Sequence, residues 1–271
     1  MVSFKIICFS CLALFLVNTK TLSAQKTEIN LGEDFYELEK KKDAILLGGG
    51  LIASIVGTTL LQTQSPPTLE QINTLDPNDI WRFDRSAIDN NSTSATTVSD
   101  ILLYSSIAAP TALFALNKTK GQKLQVLTLF AEVVFITTGV TNLAKVSTKR
   151  FRPNTYNPLV SQDIKLSASS QKSFFSGHTS NSAAYCFFTA SVLNKLYPHW
   201  TTGKYITWGT AIAVPAIVAY SRFAAGKHFP TDVITGYLFG AAVGILIPQL
   251  HKSKGLDLQV GVGSISLKKT F

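Results

Sequence analysis

Long apolar stretches separated by short charged connections dominate the chain. After residue 43 six runs stand out: Ala44–Leu61, Ile101–Leu116, Leu124–Ala144, Ser182–Leu196, Tyr205–Tyr220 and Val233–Leu250. None alternates with the period of two that a half-buried strand needs, so each is read as a helix. Their lengths sit at the lower edge of the roughly 20 residues that cross a hydrocarbon core. Gly, Ala, Ser and Thr recur at close spacing, which lets helix backbones approach one another. Gly48-Gly49-Gly50 would be unfavourable in a water-exposed helix and is better tolerated in a packed or membrane one. The pattern predicts an all-α protein, a membrane-embedded six-helix bundle over residues 44–250.

The flanks differ from this middle. Residues 1–24 have the form of a secretory signal peptide: Lys5, the apolar stretch Ile6–Val17, and Leu22-Ser23-Ala24 before Gln25. A polar segment over 25–43 precedes the bundle. The connection 62–97, with Pro66-Pro67, Pro77, Asp76, Asp79, Asp84 and Asp89, reads as an exposed loop on the non-cytoplasmic side. Lys118, Lys120 and Lys123 mark the loop 117–123 as cytoplasmic by the excess of positive charge there. The third helix then runs outward and delivers Lys145 to the outer face. Lys40-Lys41-Lys42 place the start of the first helix inside, whereas a cleaved signal peptide places it outside; the sequence holds both signals. The tail 251–271 has two short alternating stretches suited to a hairpin.

Composition agrees with lipid. Charged residues make up 15% of the chain against the quarter usual in soluble domains, and apolar residues reach 46%. The net charge of +9 is not accompanied by any nucleic-acid motif, so nucleic acid is excluded as a partner. Cys8 and Cys11 fall in the leader, leaving Cys186 alone in an apolar run, where it packs. No cysteine-based metal spacing is present.

Chemistry concentrates in three places. The segment Ser221–Asp232 holds Arg222, His228 and Asp232 between two apolar runs. His228 titrates near neutrality and serves as nucleophile or base. Asp232 is spaced to accept one of its ring N–H groups, and Arg222 offers a planar fork for phosphate oxygens. Pro230 suits the first turn of the next helix. Lys145 and Arg152-Pro153 follow the third helix, and Ser176-Gly177-His178 opens the fourth, where free N–H groups bind anions. Taken singly, each has a bland alternative: a charged loop, a positive flank, a helix cap with a bystander histidine. If the helices zigzag, all three fall on one face. Such a face suits a phosphoryl group, with cations on its equatorial oxygens and the histidines in line.

These three motifs resemble the type-2 phosphatidic acid phosphatases, which share a fold with vanadium-dependent haloperoxidases and bacterial acid phosphatases. The pattern K-x6-R-P, P-S-G-H, S-R-x5-H-x3-D is met by Lys145…Arg152-Pro153, Ser176-Gly177-His178 and Ser221-Arg222…His228…Asp232, with Phe175 in place of the proline. The resemblance implies hydrolysis without a metal or other cofactor, through a phosphohistidine. His228 is then the nucleophile, Asp232 its orienting partner, and His178 the acid and later the base. Lys145, Arg152, Arg222, the Ser176 hydroxyl and the Gly177 N–H hold the phosphoryl oxygens. Lys149, Arg150 and Lys227 are expected to be helpers or surface charge, and His199 and His251 ordinary loop residues.

The expected partner is a lipid phosphate at a multi-pass cell membrane, with the site facing the periplasm. A soluble periplasmic acid phosphatase of the same fold is the second enzyme reading. A haloperoxidase fits less well, because the chain leaves little room for vanadate-supporting structure. The non-enzyme reading is a membrane protein that binds phosphate or a phospholipid without turnover.

Overall fold

The computed structural model describes residues 35–253 together with two short strands, 256–261 and 264–269. The expected signal peptide and most of the polar segment after it lie outside the described residues. Five of the six apolar runs fall within a long helix, and the second, Ile101–Leu116, outlasts its helix by four residues: α1 (Lys40–Gln62), α3 (Thr93–Ala112), α4 (Lys123–Thr148), α7 (Gly177–Leu196), α8 (Thr201–Ala224) and α9 (Pro230–Leu250). Single turns α2 (Leu69–Asn73), α5 (Pro153–Tyr156) and α6 (Gln162–Lys165) lie in the connections. β1 (Leu256–Gly261) and β2 (Ser264–Lys269) pair antiparallel, Leu256 opposite Lys269.

Local chemistry sets the helix ends. Ser92 caps α3, its hydroxyl accepting the Ala95 N–H at 3.2 Å, so this helix begins eight residues before its apolar run. Pro230 opens α9, and the Asp232 carboxylate accepts the Phe229 N–H at 2.9 Å. Ser176 caps α7.

The most polar of the six helices, α7, is also the most enclosed, with α3, α4, α8 and α9 packed around it. Its hydroxyls do not conflict with burial because they bond back to their own helix. Ser182 donates to Thr179 O, Thr189 to Tyr185 O and Ser191 to Phe187 O. A line of glycines on α9 makes the closest approach. A Cβ at Gly236 would lie 2.7 Å from Ser176 O, and Cβ atoms at Gly240 and Gly244 would collide with Ser180 O and Ala184 O. α7 and α9 therefore run parallel with their backbones in contact, the small-residue packing of membrane bundles. α1 lies parallel to α4 in the same way, Gly139 facing Ala53 and Ser54.

Among the described residues four helices are long and apolar enough to cross a membrane: α1, α3, α4 and α9. Only 11% of the apolar window of α1 is buried, and Ile45, Ile52 and Ile55 point outward from it. The connection 62–97, expected as an exposed loop, is partly built into the protein. Asp84 is 1% exposed, and Ala87 and Ile88 pack with Phe229.

Candidate active site

Where α4 and α8 end and α7 and α9 begin, the three motif segments come together. Lys145 sits in the last turn of α4; Lys149 ends that helix at φ 45°, its N–H on Lys145 O at 3.0 Å. The chain returns so that the Arg152 N–H bonds Ser170 O at 2.7 Å. Gly177 faces Lys145: a Cβ there would lie 3.2 Å from Nζ, so the ammonium rests against the first turn of α7. In the turn from α8 to α9, Gly226 has φ +64°, and any side chain there would strike Asn90 O.

His228 is 1% exposed, and its Nδ1 lies 2.7 Å from the Ser173 carbonyl. A carbonyl only accepts, so Nδ1 carries the proton and Nε2 keeps its lone pair for an electrophile. This corrects one expectation. The nearer oxygen of Asp232 is 3.7 Å from Nδ1, beyond hydrogen-bond range. That oxygen instead accepts the Ser173 hydroxyl at 2.5 Å and the Phe229 N–H at 2.9 Å. Asp232 therefore orients the imidazole through Ser173. Burial, and then the charges of Arg152, Arg222 and Lys145, hold His228 well below the ordinary histidine range. Those three cations thus act on one ring from three segments of the chain.

Arg150, expected to be surface charge or a helper, is a structural clamp. Its Nη1 donates to Asp232 Oδ1 at 2.6 Å and its Nη2 to Asp84 Oδ2 at 2.8 Å, with the guanidinium 4.3 Å over the Phe229 ring. Asp84 in turn accepts from the Thr231 N–H and hydroxyl. Lys149 is exposed and Lys227 half-buried.

Arg222 is 5% exposed, its Nη1 3.3 Å from Ser99 Oγ and 3.7 Å from Asp100 Oδ1. The same Asp100 oxygen lies 2.8 Å from His178 Nε2. Buried Nε atoms of Arg152 and Arg222 have no hydrogen-bond partner, and among the described residues Lys145 and Arg152 form no ion pair. Lys145, Arg152 and Arg222 thus outnumber the two carboxylates that act on them, Asp100 and Asp232, the second already paired with Arg150, an imbalance that an anion would correct. The Ser176 hydroxyl is buried and engaged with Thr179, by its N–H at 3.4 Å and its Oγ1 at 2.9 Å. Phe175, in the position of the expected proline, packs against Phe239. Sequence reasoning missed Ser173, Asp84 and Asp100, which carry no local signature.

The chain is similar to known proteins. A model of the PAP2 superfamily matches residues 126–255. A lipid A 4'-phosphatase of Porphyromonas gingivalis is 36% identical over 78 residues, 29% of this chain and 29% of that protein. A PAP2-type phosphatidylglycerolphosphate phosphatase from Bacillus subtilis, solved by crystallography, aligns at 19% identity with a TM-score of 0.44, over 89% of this chain and 96% of that one. Residues 126–255, which contain all three motifs and both motif histidines, belong to the PAP2 superfamily.

Proposed function

We propose that this protein is a phosphatase that releases phosphate from a phosphate monoester or pyrophosphate of a membrane lipid, through a phosphohistidine and without a catalytic metal. The observation that carries the reading is the meeting of Lys145, Arg152 and Arg222 around the buried, neutral His228, with guanidinium Nε atoms left unpartnered.

In this reading the lone pair of His228 Nε2 attacks phosphorus. The P–N bond forms as the bond to the lipid oxygen breaks. Ser173 O keeps the ring aligned and takes part of the positive charge that develops on it. Lys145, Arg152, Arg222 and the Gly177 N–H hold the three equatorial oxygens, where charge accumulates. His178 gives a proton to the departing oxygen, then takes one from the water that cleaves the P–N bond. Burial, and next the charge of Arg222, lower the affinity of His178 for a proton, while Asp100 opposes this and stabilises its protonated form. Ser176 acts chiefly by capping α7 and presenting the Gly177 N–H.

Two features favour a lipid. A shallow apolar depression of about 210 Å³, lined by Ala219, Tyr220, Phe223, Pro230, Val233 and Ile234, lies between the end of α8 and the start of α9. The similarity to a lipid A 4'-phosphatase makes lipid A 4'-phosphate the first substrate to test. The protein is read as multi-pass, with Lys40–Lys42 and Lys118–Lys123 at the cytoplasmic end and the site at the periplasmic end. Thiol labelling of single-cysteine variants in 62–97 and 117–123 tests that orientation.

The decisive experiment is phosphate release from lipid A 4'-phosphate, phosphatidate, phosphatidylglycerol phosphate and an isoprenyl pyrophosphate in chelator-containing buffer. Release by the wild type, inhibition by vanadate and loss in His228→Ala are expected. Turnover that persists in His228→Ala, or that requires added metal, would refute the mechanism.

A further inference from the structure

At the opposite end of the bundle, three side chains that play no part in the phosphate site converge. Asp43 stands in the first turn of α1, Glu132 in the interior of α4, and His251 directly after α9. Lys145 lies thirteen positions after Glu132, about 20 Å along α4 at the usual rise. His251, expected to be an ordinary loop residue, is 1% exposed. Its Nε2 lies 2.8 Å from Asp43 Oδ1 and 3.5 Å from Glu132 Oε2, and one donor atom from each residue falls within 4.8 Å of the others.

Two facts point to a cation at this spot. Glu132 is fully buried, and among the described residues neither carboxylate oxygen accepts a hydrogen bond. A carboxylate taken out of water without donors is strongly unfavourable. The second fact is the orientation of the imidazole. Nδ1 lies 2.8 Å from the Ile247 carbonyl, which only accepts, so Nδ1 holds a proton. Nε2 then faces two carboxylates, and it meets them either with a second proton or with its lone pair on a cation that the carboxylates share. The nearby ammonium of Lys42 is occupied with Leu250 O at 2.8 Å.

We infer that Asp43, Glu132 and His251 form a binding site for a first-row divalent cation of the zinc class, a structural staple separate from the phosphate chemistry. One imidazole nitrogen and two carboxylate oxygens are a donor set that zinc accepts, and a carbonyl fixing the far ring nitrogen is the usual support of a ligating histidine. Metal–donor distances of about 2.0–2.2 Å put tetrahedral ligands about 3.3–3.6 Å apart, so the three side chains need to shift by less than about 1 Å. The ion would tie the start of α1 and the end of α9 to α4. It would also fix the segment at Phe35–Glu37, whose Glu37 N–H bonds His251 O at 2.9 Å.

The test uses the full-length, tag-free protein in detergent, stripped with chelator, passed into chelator-free buffer and loaded with Zn²⁺ alone. Elemental analysis after gel filtration should give about one zinc per chain, and the melting midpoint should rise with free zinc. Glu132→Gln should retain under a tenth of that metal and show no zinc-dependent rise. Asp43→Asn, at a more accessible position, should behave the same way if the first variant folds poorly. Below the melting range, stripped and loaded wild type should release phosphate at equal rates, which separates this site from the proposed catalytic one. Folded wild type that keeps no more zinc than Glu132→Gln would overturn the proposal. So would an NMR signature of His251 with both nitrogens protonated at saturating zinc.

Discussion

Replacing Arg150 by glutamine removes a side chain at one of the unspecified positions between Lys145 and Arg152. It severs the bonds to Asp232 (2.6 Å), Asp84 (2.8 Å) and the Thr231 hydroxyl (2.9 Å) and the stacking on Phe229. A hydrogen bond to a charged group contributes about 1.5–3 kcal/mol, and breaking a buried pair from one side destabilises by about 3–5 kcal/mol. Two features reduce that figure. The Arg150 side chain is 27% exposed, so solvent screens it. Asp232 also keeps the Ser173 hydroxyl and the Phe229 N–H, while Asp84 keeps both Thr231 donors. The expected loss is about 2–3 kcal/mol, which in a domain of this size lowers the melting midpoint by roughly 4–12 °C. Because Asp232 holds Ser173, and Ser173 aims His228, kcat for phosphate release should fall by about tenfold to a hundredfold, with KM little changed. Arg150→Lys supplies one point charge and should recover part of both effects. Thermal melts and steady-state assays in detergent read the two quantities. A glutamine variant that melts within about 1 °C of wild type and turns over at the wild-type rate would refute the clamp.

Gly240→Val drives a side chain into Ser180 O at the α7–α9 contact and should destabilise by at least about 1–3 kcal/mol. Gly48→Ala, with open space around it, should be neutral or slightly stabilising; equal melting midpoints for the two would contradict the packing. The protonation of His228 gives stability a pH dependence in the substrate-free protein. Its folded pKa lies well below the unfolded value of about 6.5, so between the two the unfolded chain binds the extra proton. Stability contributed by the neutral ring is full above that value and declines as pH falls below it. Melting midpoints from pH 8 to pH 5 should fall more steeply for wild type than for His228→Asn, and equal slopes would argue against a buried neutral ring.

Much of the fold was legible because helices announce themselves through composition over short windows. The six runs, the Ser176 cap and the Pro230 start with Asp232 three residues into the helix are all local features. The glycines of α9 were visible as small residues, but that three of them touch one neighbour required the helix pairing. The connection 62–97 misled because its acids look alike in sequence. Only docking onto Thr231 and Arg150 separates buried Asp84 from exposed Asp76, Asp79 and Asp89. Asp100 was hidden for a related reason: it belongs to the turns of α3 that precede the apolar run.

By itself the sequence determined that the chain is helical, that its middle is apolar enough for lipid, and which side chains could handle a phosphoryl group. These properties depend on residue type and on spacing within one segment. Tertiary structure alone decided who holds whom: that Ser173 rather than Asp232 meets the His228 ring, that Arg150 is a clamp, and that Asp43, Glu132 and His251 share one buried spot. The partners in these contacts lie between 55 and 208 positions apart. No local preference links residues so distant; the crossing of helices brings them together.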